Sequence, residues 1–275
     1  TSVPNTFSPA RVSENLTVTA TAQFAHLNTI PLSFFFTPPR SRLTWPNNTL
    51  LSILILLCGD IETNPGPNSL ALNVCSLNIR SLTNPIHHTA VSSLAEIHQV
   101  DLFAITETWI TSTTTSAELL DSVPAGFSLL SFPRPTSSPT TNRIIGGGTA
   151  FLIRDSCHIL STTAPVFKSF ELSSVTLKLP RSKFTVFNIY RPPPSSSKAV
   201  PFSQFLTDFQ TVISQVSTIS HEILITGDFN IHIDQAHNSQ TKQFLSLLDS
   251  SNLTQLVLFP THCSGHTLDL VITAT

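Results

Sequence analysis

A chain of 275 residues has room for one large domain or two small ones, and its formal net charge of -2 excludes a globally basic nucleic-acid binder. Only 11% of the residues are charged and 40% are apolar, so a core forms only where the apolar residues are patterned. Any contact with nucleic acid must come from a local basic patch. The four cysteines, Cys58, Cys75, Cys157 and Cys263, lack CxxC spacing. That argues against a zinc site or a disulfide framework and suits a reducing compartment. Methionine is absent, even at position 1, so the chain reads as a piece of a longer reading frame.

Residues 1–49 are rich in Thr, Ser and Pro and show no sustained period, which predicts a disordered leader. Residues 50–67 read "LLSILILLCGDIETNPGP". The apolar part, Leu50 to Cys58, is nine residues long, whereas a helix that spans a bilayer needs roughly 20. Stable membrane insertion is therefore not expected. A buried strand or short helix is the plain reading, and a secretory signal of this length is also open, although no small-x-small cleavage site follows.

The tail of that stretch is more specific. Asp60, Ile61, Glu62, Thr63, Asn64, Pro65, Gly66 and Pro67 fill every fixed position of D-[VI]-E-x-N-P-G-P. This resembles the 2A-type ribosome-skipping peptides, which also carry a leucine-rich stretch ahead of the motif. The resemblance implies an event in the ribosome exit tunnel. The turn at Asn64, Pro65 and Gly66 misplaces the Gly66 ester, and Pro67 is a poor acceptor because its ring fixes φ and constrains its neighbour. The bond between Gly66 and Pro67 is then skipped. A plain Pro-Gly turn is the bland alternative. Some members of that family double as signal sequences, so the expected location, nucleus or cytoplasm, leaves a signal role for the apolar segment open.

From residue 68 to residue 275 strand and helix patterns alternate. "LALNVCSLNI" reads as a buried strand and "AVSSLAEIHQV" as a helix with Val91, Leu94, Ala95 and Ile97 near one face. "DLFAITET" and "GGTAFLIR" read as strands, and "FELSSVTLKL" with "KFTVFNIY" as a hairpin across residues 180–183. "PFSQFLTDFQTVISQV" places Phe202, Phe205, Leu206, Phe209, Val212, Ile213 and Val216 at helical spacing. "EILITGDFN" is a buried strand with a polar end, "TKQFLSLLDSSN" a helix and "TLDLVIT" a last strand. Such a mix predicts α/β layers with a mixed sheet.

Polar residues recur where these strands end: Asn78, Glu107, Tyr190, Asp228 and Asn230. Asp269 lies in an apolar strand, where a carboxylate is costly unless paired or bound to metal. One acid at a strand end is usually a cap or a loop residue. Five or six at successive strand ends mark the rim where α/β proteins place their sites.

"LNIRSL", "ITETW", "GGGTAFLIR", "NIYRPP", "LITGDFN" and "THCSGHTLDLVI" together resemble the endonuclease/exonuclease/phosphatase family. More narrowly they resemble the apurinic-type endonuclease domain of LINE-type non-LTR retrotransposons. The resemblance spans Leu70 to the end, and it implies a four-layer sandwich of two mixed sheets flanked by helices. It further implies DNA as substrate, Mg²⁺ as cofactor with Mn²⁺ as an alternative, and a reverse transcriptase further along the reading frame. Glu107 would hold the metal and Asn78 would assist at metal or phosphate. Asp228 would orient or deprotonate the attacking water, and Asn230 would bond the phosphate. Tyr190 would donate to the phosphate or help the leaving group, and Asp269 would orient a histidine.

In the family that histidine lies in a Ser-Asp-His motif on a further strand, and this chain stops at Thr275 before one. His262 and His266 read as loop histidines, and His87, His88 and His232 lack zinc spacing. Arg80 stands where many members carry a metal-supporting acid. The expectation is a sandwich lacking its last strand, with a sheet neighbour left bare, and a chain that is inactive or nearly so. A phosphatase or phosphodiesterase of the same fold, or a remnant without function, are the alternatives.

Overall fold

The computed structural model describes residues 18–21, 52–58, 72–134, 146–180, 182–196 and 200–274. The elements run in chain order as β1 (Val18–Thr21), β2 (Ser52–Cys58), β3 (Leu72–Asn78), α1 (Pro85–Ile97), β4 (Leu102–Thr106), α2 (Ser116–Asp121), β5 (Phe127–Phe132) and β6 (Thr149–Arg154). They continue as β7 (His158–Thr163), β8 (Glu171–Lys178), β9 (Lys183–Tyr190), α3 (Phe202–Val216), β10 (Glu222–Asp228), α4 (Ser239–Asp249), β11 (Leu253–Gln255) and β12 (Asp269–Ala274).

Two mixed sheets result, in the orders β1-β2-β3-β4-β6-β5 and β11-β12-β10-β9-β8-β7. Each contains one parallel pair, β3 with β4 and β9 with β10, joined through α1 and α3 respectively. A parallel pair needs such a crossover because both strands run the same way. Every other pairing is antiparallel.

The apolar strands read as continuous runs because both of their faces are covered. Side chains alternate along a strand, so Val74, Leu102, Ala104, Phe151, Ile153, Phe184, Val186 and Leu224 fill the space between the sheets. The alternate residues Cys75, Leu77, Phe103, Ile105 and Leu152 pack under α1 with Val91, Leu94 and Ala95. On the far side Ile189, Ile223, Ile225 and Ile272 meet α3 and α4 through Phe205, Phe209, Val212, Phe244 and Leu248. The two mixed sheets with flanking helices implied by the resemblance are therefore present.

Caps fix where the helices begin. The Asn84 side chain accepts from the Ile86 N–H at 3.1 Å, with Pro85 in the first turn, so α1 starts ahead of the apolar stretch that announces it. Asn238 caps α4 in the same way at 2.8 Å. A capping box between Thr115 and Glu118 starts the short α2. Ile97, expected near the buried face of α1, is 57% exposed; it is the last residue of the helix. Asp269 is the first residue of β12, the apolar strand in which it was expected.

The apolar run of residues 50–58 contributes β2, a strand that pairs antiparallel with β3 over seven residues from Ser52↔Asn78 to Cys58↔Leu72. The outer edge of β3 is covered in this way. Of the leader, Val18–Thr21 forms β1 against β2, and its other residues lie outside the described ones. Asp60, Glu62, Asn64, Pro65, Gly66 and Pro67 also lie outside the described residues. Among the described residues no helix is long and apolar enough to cross a membrane.

Candidate active site

The sheet register brings the polar strand ends to one rim. Asn78 is the last residue of β3 and stands level with Thr106, so Glu107 follows immediately beside it. Tyr190 and Asp228 are the last residues of the parallel pair β9 and β10 and are in register with each other. β12 runs antiparallel to β10, so its first residue, Asp269, lies opposite Asp228. Asn230 follows two residues past β10.

Hydrogen bonds tie these ends across the two sheets. Asn78 Nδ2 donates to Asp228 Oδ2 at 2.8 Å, a contact between residues 150 apart in sequence. The Tyr190 hydroxyl donates to Glu107 Oε1. Trp109 Nε1 donates to Glu107 Oε2 at 2.7 Å. The Asn230 N–H donates to Asp228 Oδ1 at 3.0 Å. All six residues expected at the site are thus gathered at one rim. Asn230 differs in detail: its Nδ2 donates to the Arg191 carbonyl at 2.7 Å, which makes it a tie between two loops.

The backbone around these side chains is unusual. Glu107, Trp109 and Asn230 have φ of 56°, 55° and 49°, left-handed values that non-glycine residues adopt at some cost. Strain of this kind concentrates at sites because the surrounding structure must hold it. Gly227 has φ of 126°, and a Cβ there would fall on the Ile189 carbonyl of the neighbouring strand, so only glycine lets β10 pass β9.

Electrostatics set the protonation states. Burial pushes the Asp228 carboxyl up to about 7, against the hydrogen bonds from Asn78 and from the Asn230 N–H, which pull it down. Burial raises Asp269 well above the usual carboxylate range, and the nearby Asp228 charge adds to it. Burial, with the negative charge of Glu107, raises the Tyr190 phenol, so it stays protonated and acts as a donor.

Four residues not singled out from the sequence complete the surroundings. Trp109 sits in the quoted "ITETW", but nothing in the pattern assigns its indole to Glu107. Arg191 lies within "NIYRPP"; its Nη1 donates to the carbonyls of Phe229 and Asn230 at 3.3 and 3.0 Å. Its guanidinium lies 5.1 Å from the Phe205 ring centroid, which anchors the loop after β10 to α3. Arg134 Nε pairs with Glu171 Oε1, and Glu171 Oε2 accepts from the Gly148 N–H at 2.6 Å. No local spacing signals that pair, since its members are 37 residues apart.

Asp269 lacks the partner that the resemblance implies. The Asp269 N–H donates to Thr261 Oγ1 at 3.0 Å, and the Leu268 N–H donates to the same oxygen at 3.0 Å. His266 Nδ1 is paired with Asp234 at 2.9 Å and His262 Nδ1 with Ser264 at 2.6 Å, both in loops as expected. Among the described residues no imidazole hydrogen-bonds Asp269.

The residues present fit a hard divalent cation. Asn78 Nδ2 is committed to Asp228, which leaves its Oδ1 buried and without a partner. That orphaned oxygen stands at the rim with the Glu107 carboxylate. One carboxylate and few other protein oxygens are the usual protein share of a Mg²⁺ site, the ion keeping waters and substrate phosphate for the rest. Among the described residues no group of three or more His, Cys, Asp and Glu is arranged to hold an ion.

Comparison with known proteins agrees with this architecture. The family described as endonuclease-reverse transcriptase matches residues 184–275. No curated protein sequence matches. Among solved structures, an AP endonuclease from Leishmania major superposes with a TM-score of 0.54 at 11% identity, covering 74% of this chain and 78% of that one. The catalytic domain of human Nocturnin gives 0.52 at 15% identity, over 74% of this chain and 82% of that one. An endonuclease/exonuclease/phosphatase family protein from Bacteroides thetaiotaomicron gives 0.54 at 14% identity, over 74% and 81%. The fold of this chain is the α/β sandwich that these proteins share.

Proposed function

We propose that the chain carries the endonuclease domain of a non-LTR retroelement, which nicks target DNA by Mg²⁺-dependent phosphodiester hydrolysis. The observation that carries this reading is the hydrogen bond from Asn78 to Asp228, which closes the two sheets around one acid-lined rim. The match over residues 184–275 to the endonuclease-reverse transcriptase family supports it, as does the AP endonuclease among the structural neighbours.

The assignment of roles follows from the side chains. Glu107, with Asn78 Oδ1, would hold the ion, which when bound neutralises charge building on the phosphate. Asp228, its carboxyl raised to about 7, takes a proton from water near neutral pH. Asn78 and the Asn230 N–H fix that carboxylate in orientation. Tyr190 stays protonated, and its single O–H, given to Glu107 here, would turn to a phosphate oxygen or leaving group once Glu107 holds the ion. The net charge is -2, so attraction for DNA rests on local cations, of which Arg80 is exposed past β3 and Lys168 past β7.

Asp269 would orient an imidazole in this reading, and among the described residues none is bonded to it. We infer that the chain nicks supercoiled plasmid poorly in Mg²⁺. Imidazole added to the buffer is expected to raise nicking at least several-fold, and Asp228→Ala to abolish it. Fast nicking without imidazole, lost in Asp228→Ala, would show that Asp269 needs no such partner. No nicking under either condition, alongside hydrolysis of a phosphoinositide, would move the assignment to the phosphatases of the same fold.

Residues 60–67 are proposed to separate two translation products at the ribosome. Cell-free translation of this frame is expected to release two chains split before Pro67. A single product, unchanged by Pro67→Ala, would refute it.

A further inference from the structure

The break proposed after Gly66 falls between two strands that lie side by side. β2 ends at Cys58 and β3 begins at Leu72. The seven residues of β2 pair antiparallel with those of β3, in a register that runs from Ser52↔Asn78 to Cys58↔Leu72. β2 in turn holds β1, from Val18↔Cys58 to Thr21↔Ile55. Separation at that bond leaves β1 and β2 whole on the upstream product and β3 whole on the downstream one.

The downstream product supplies every surface that β3 needs except one. Val74 packs between the two sheets, and Cys75 and Leu77 pack under α1, so both faces of the strand are held from downstream. β4 satisfies one edge of its backbone. The other edge is satisfied by β2 alone. Without β2, the N–H and C=O groups that β3 directs outward lose their partners along a strand whose residues 74–77 are buried. A bare edge of that kind is a template for another strand. The segment that covers it reads SILILLC and has no charge, proline or glycine to blunt edge pairing. Its first residue stands opposite Asn78, so the pairing reaches the end of β3 that donates to Asp228.

We propose that the outer edge of β3 is an interface between the two translation products, with the strand Ser52–Cys58 of the upstream product docked on it after separation. The inference rests on the skipping of the bond between Gly66 and Pro67 proposed above. Recognition is by strand addition, in which main-chain hydrogen bonds supply the affinity. Register supplies the specificity, because a slip by one residue turns every side chain to the opposite face. The upstream product thus stays bound next to the acid-lined rim and braces the strand that carries Asn78.

The test is cell-free translation of the whole frame with an affinity tag ahead of Thr1, as wild type and as Leu72→Cys. In both, capture of the tagged upstream product is expected to bring the downstream product with it. Position 72 stands opposite Cys58, and neighbouring strands are close enough for a disulfide. Oxidation of Leu72→Cys with copper phenanthroline should therefore join the two products into one band of their summed mass on a non-reducing gel. Dithiothreitol should reverse it, and adding Cys58→Ser should remove it. Asn73→Cys, one position along and on the opposite face, should give no such band. Two products that are not captured together would overturn the docking and leave the skipping standing. Capture without the band, or with an equal band from Asn73→Cys, would mark adhesion of an apolar tail and overturn the docking as well. A single unseparated chain would overturn both readings.

Discussion

Gly227→Ala is expected to abolish or nearly abolish folding of the sheet that carries Tyr190, Asp228 and Asp269. The residue lies one position before Asp228, at φ of 126°, and an added Cβ would land on the Ile189 carbonyl. Two costs combine. An L-residue at that φ is strained by roughly 1–3 kcal/mol. Forcing a methyl group against backbone that cannot move away costs roughly another 1–3 kcal/mol. Together, about 2–6 kcal/mol is a large part of the stability of an ordinary domain. Urea unfolding followed by tryptophan fluorescence should show the midpoint collapse or the folded baseline vanish. A midpoint close to wild type would mean that β9 and β10 do not approach each other as described.

Glu171→Ala should be the next most damaging change. The substitution removes the counter-charge of Arg134, whose side chain is 13% exposed, and the acceptor for the Gly148 N–H. An uncompensated buried cation costs roughly 3–5 kcal/mol. Removing both charges together is far milder, so the double variant Arg134→Met with Glu171→Leu should recover most of the lost stability. A double-mutant cycle in urea measures this directly. If Glu171→Ala is harmless, or if the double variant is worse than either single change, Arg134 and Glu171 are not the buried, mutually compensating pair described.

The strands covered on both faces could be read from their apolar runs, and the α3 stripe from Phe202 to Val216 from its period. The site was legible for a related reason. Asn78, Glu107, Tyr190 and Asp228 stand where apolar runs break off, and register alone then carries them to one rim.

What escaped was short, exposed or remote. β5 and β7 are outer strands whose side chains are partly or largely exposed, so "FSLLSF" and "HILSTT" carry no strong alternation of buried positions. α2 buries no residue at all, and β11 is three residues long. Ile97 looked like a core residue because period alone does not show where a helix ends. The Arg134 pair with Glu171 and the bond from Asp269 to Thr261 are tertiary, set by loops that carry no local signal. The left-handed backbone at Glu107 is equally invisible in residue type, whereas an Asn, as at 230, is a residue that adopts it readily.

In the proposed reading Asn78, Glu107, Tyr190, Asp228, Asn230 and Asp269 form one site that engages a phosphodiester together with a divalent ion. The most direct measurement is the affinity for a short duplex DNA, in Mg²⁺ and in EDTA, for the wild-type chain and for Glu107→Ala. It does not depend on turnover. Wild type is expected to bind about tenfold more tightly in Mg²⁺, and Glu107→Ala to bind equally in both buffers, its Mg²⁺ effect gone. An equal gain from Mg²⁺ in the two proteins, or no gain in either, would contradict the claim.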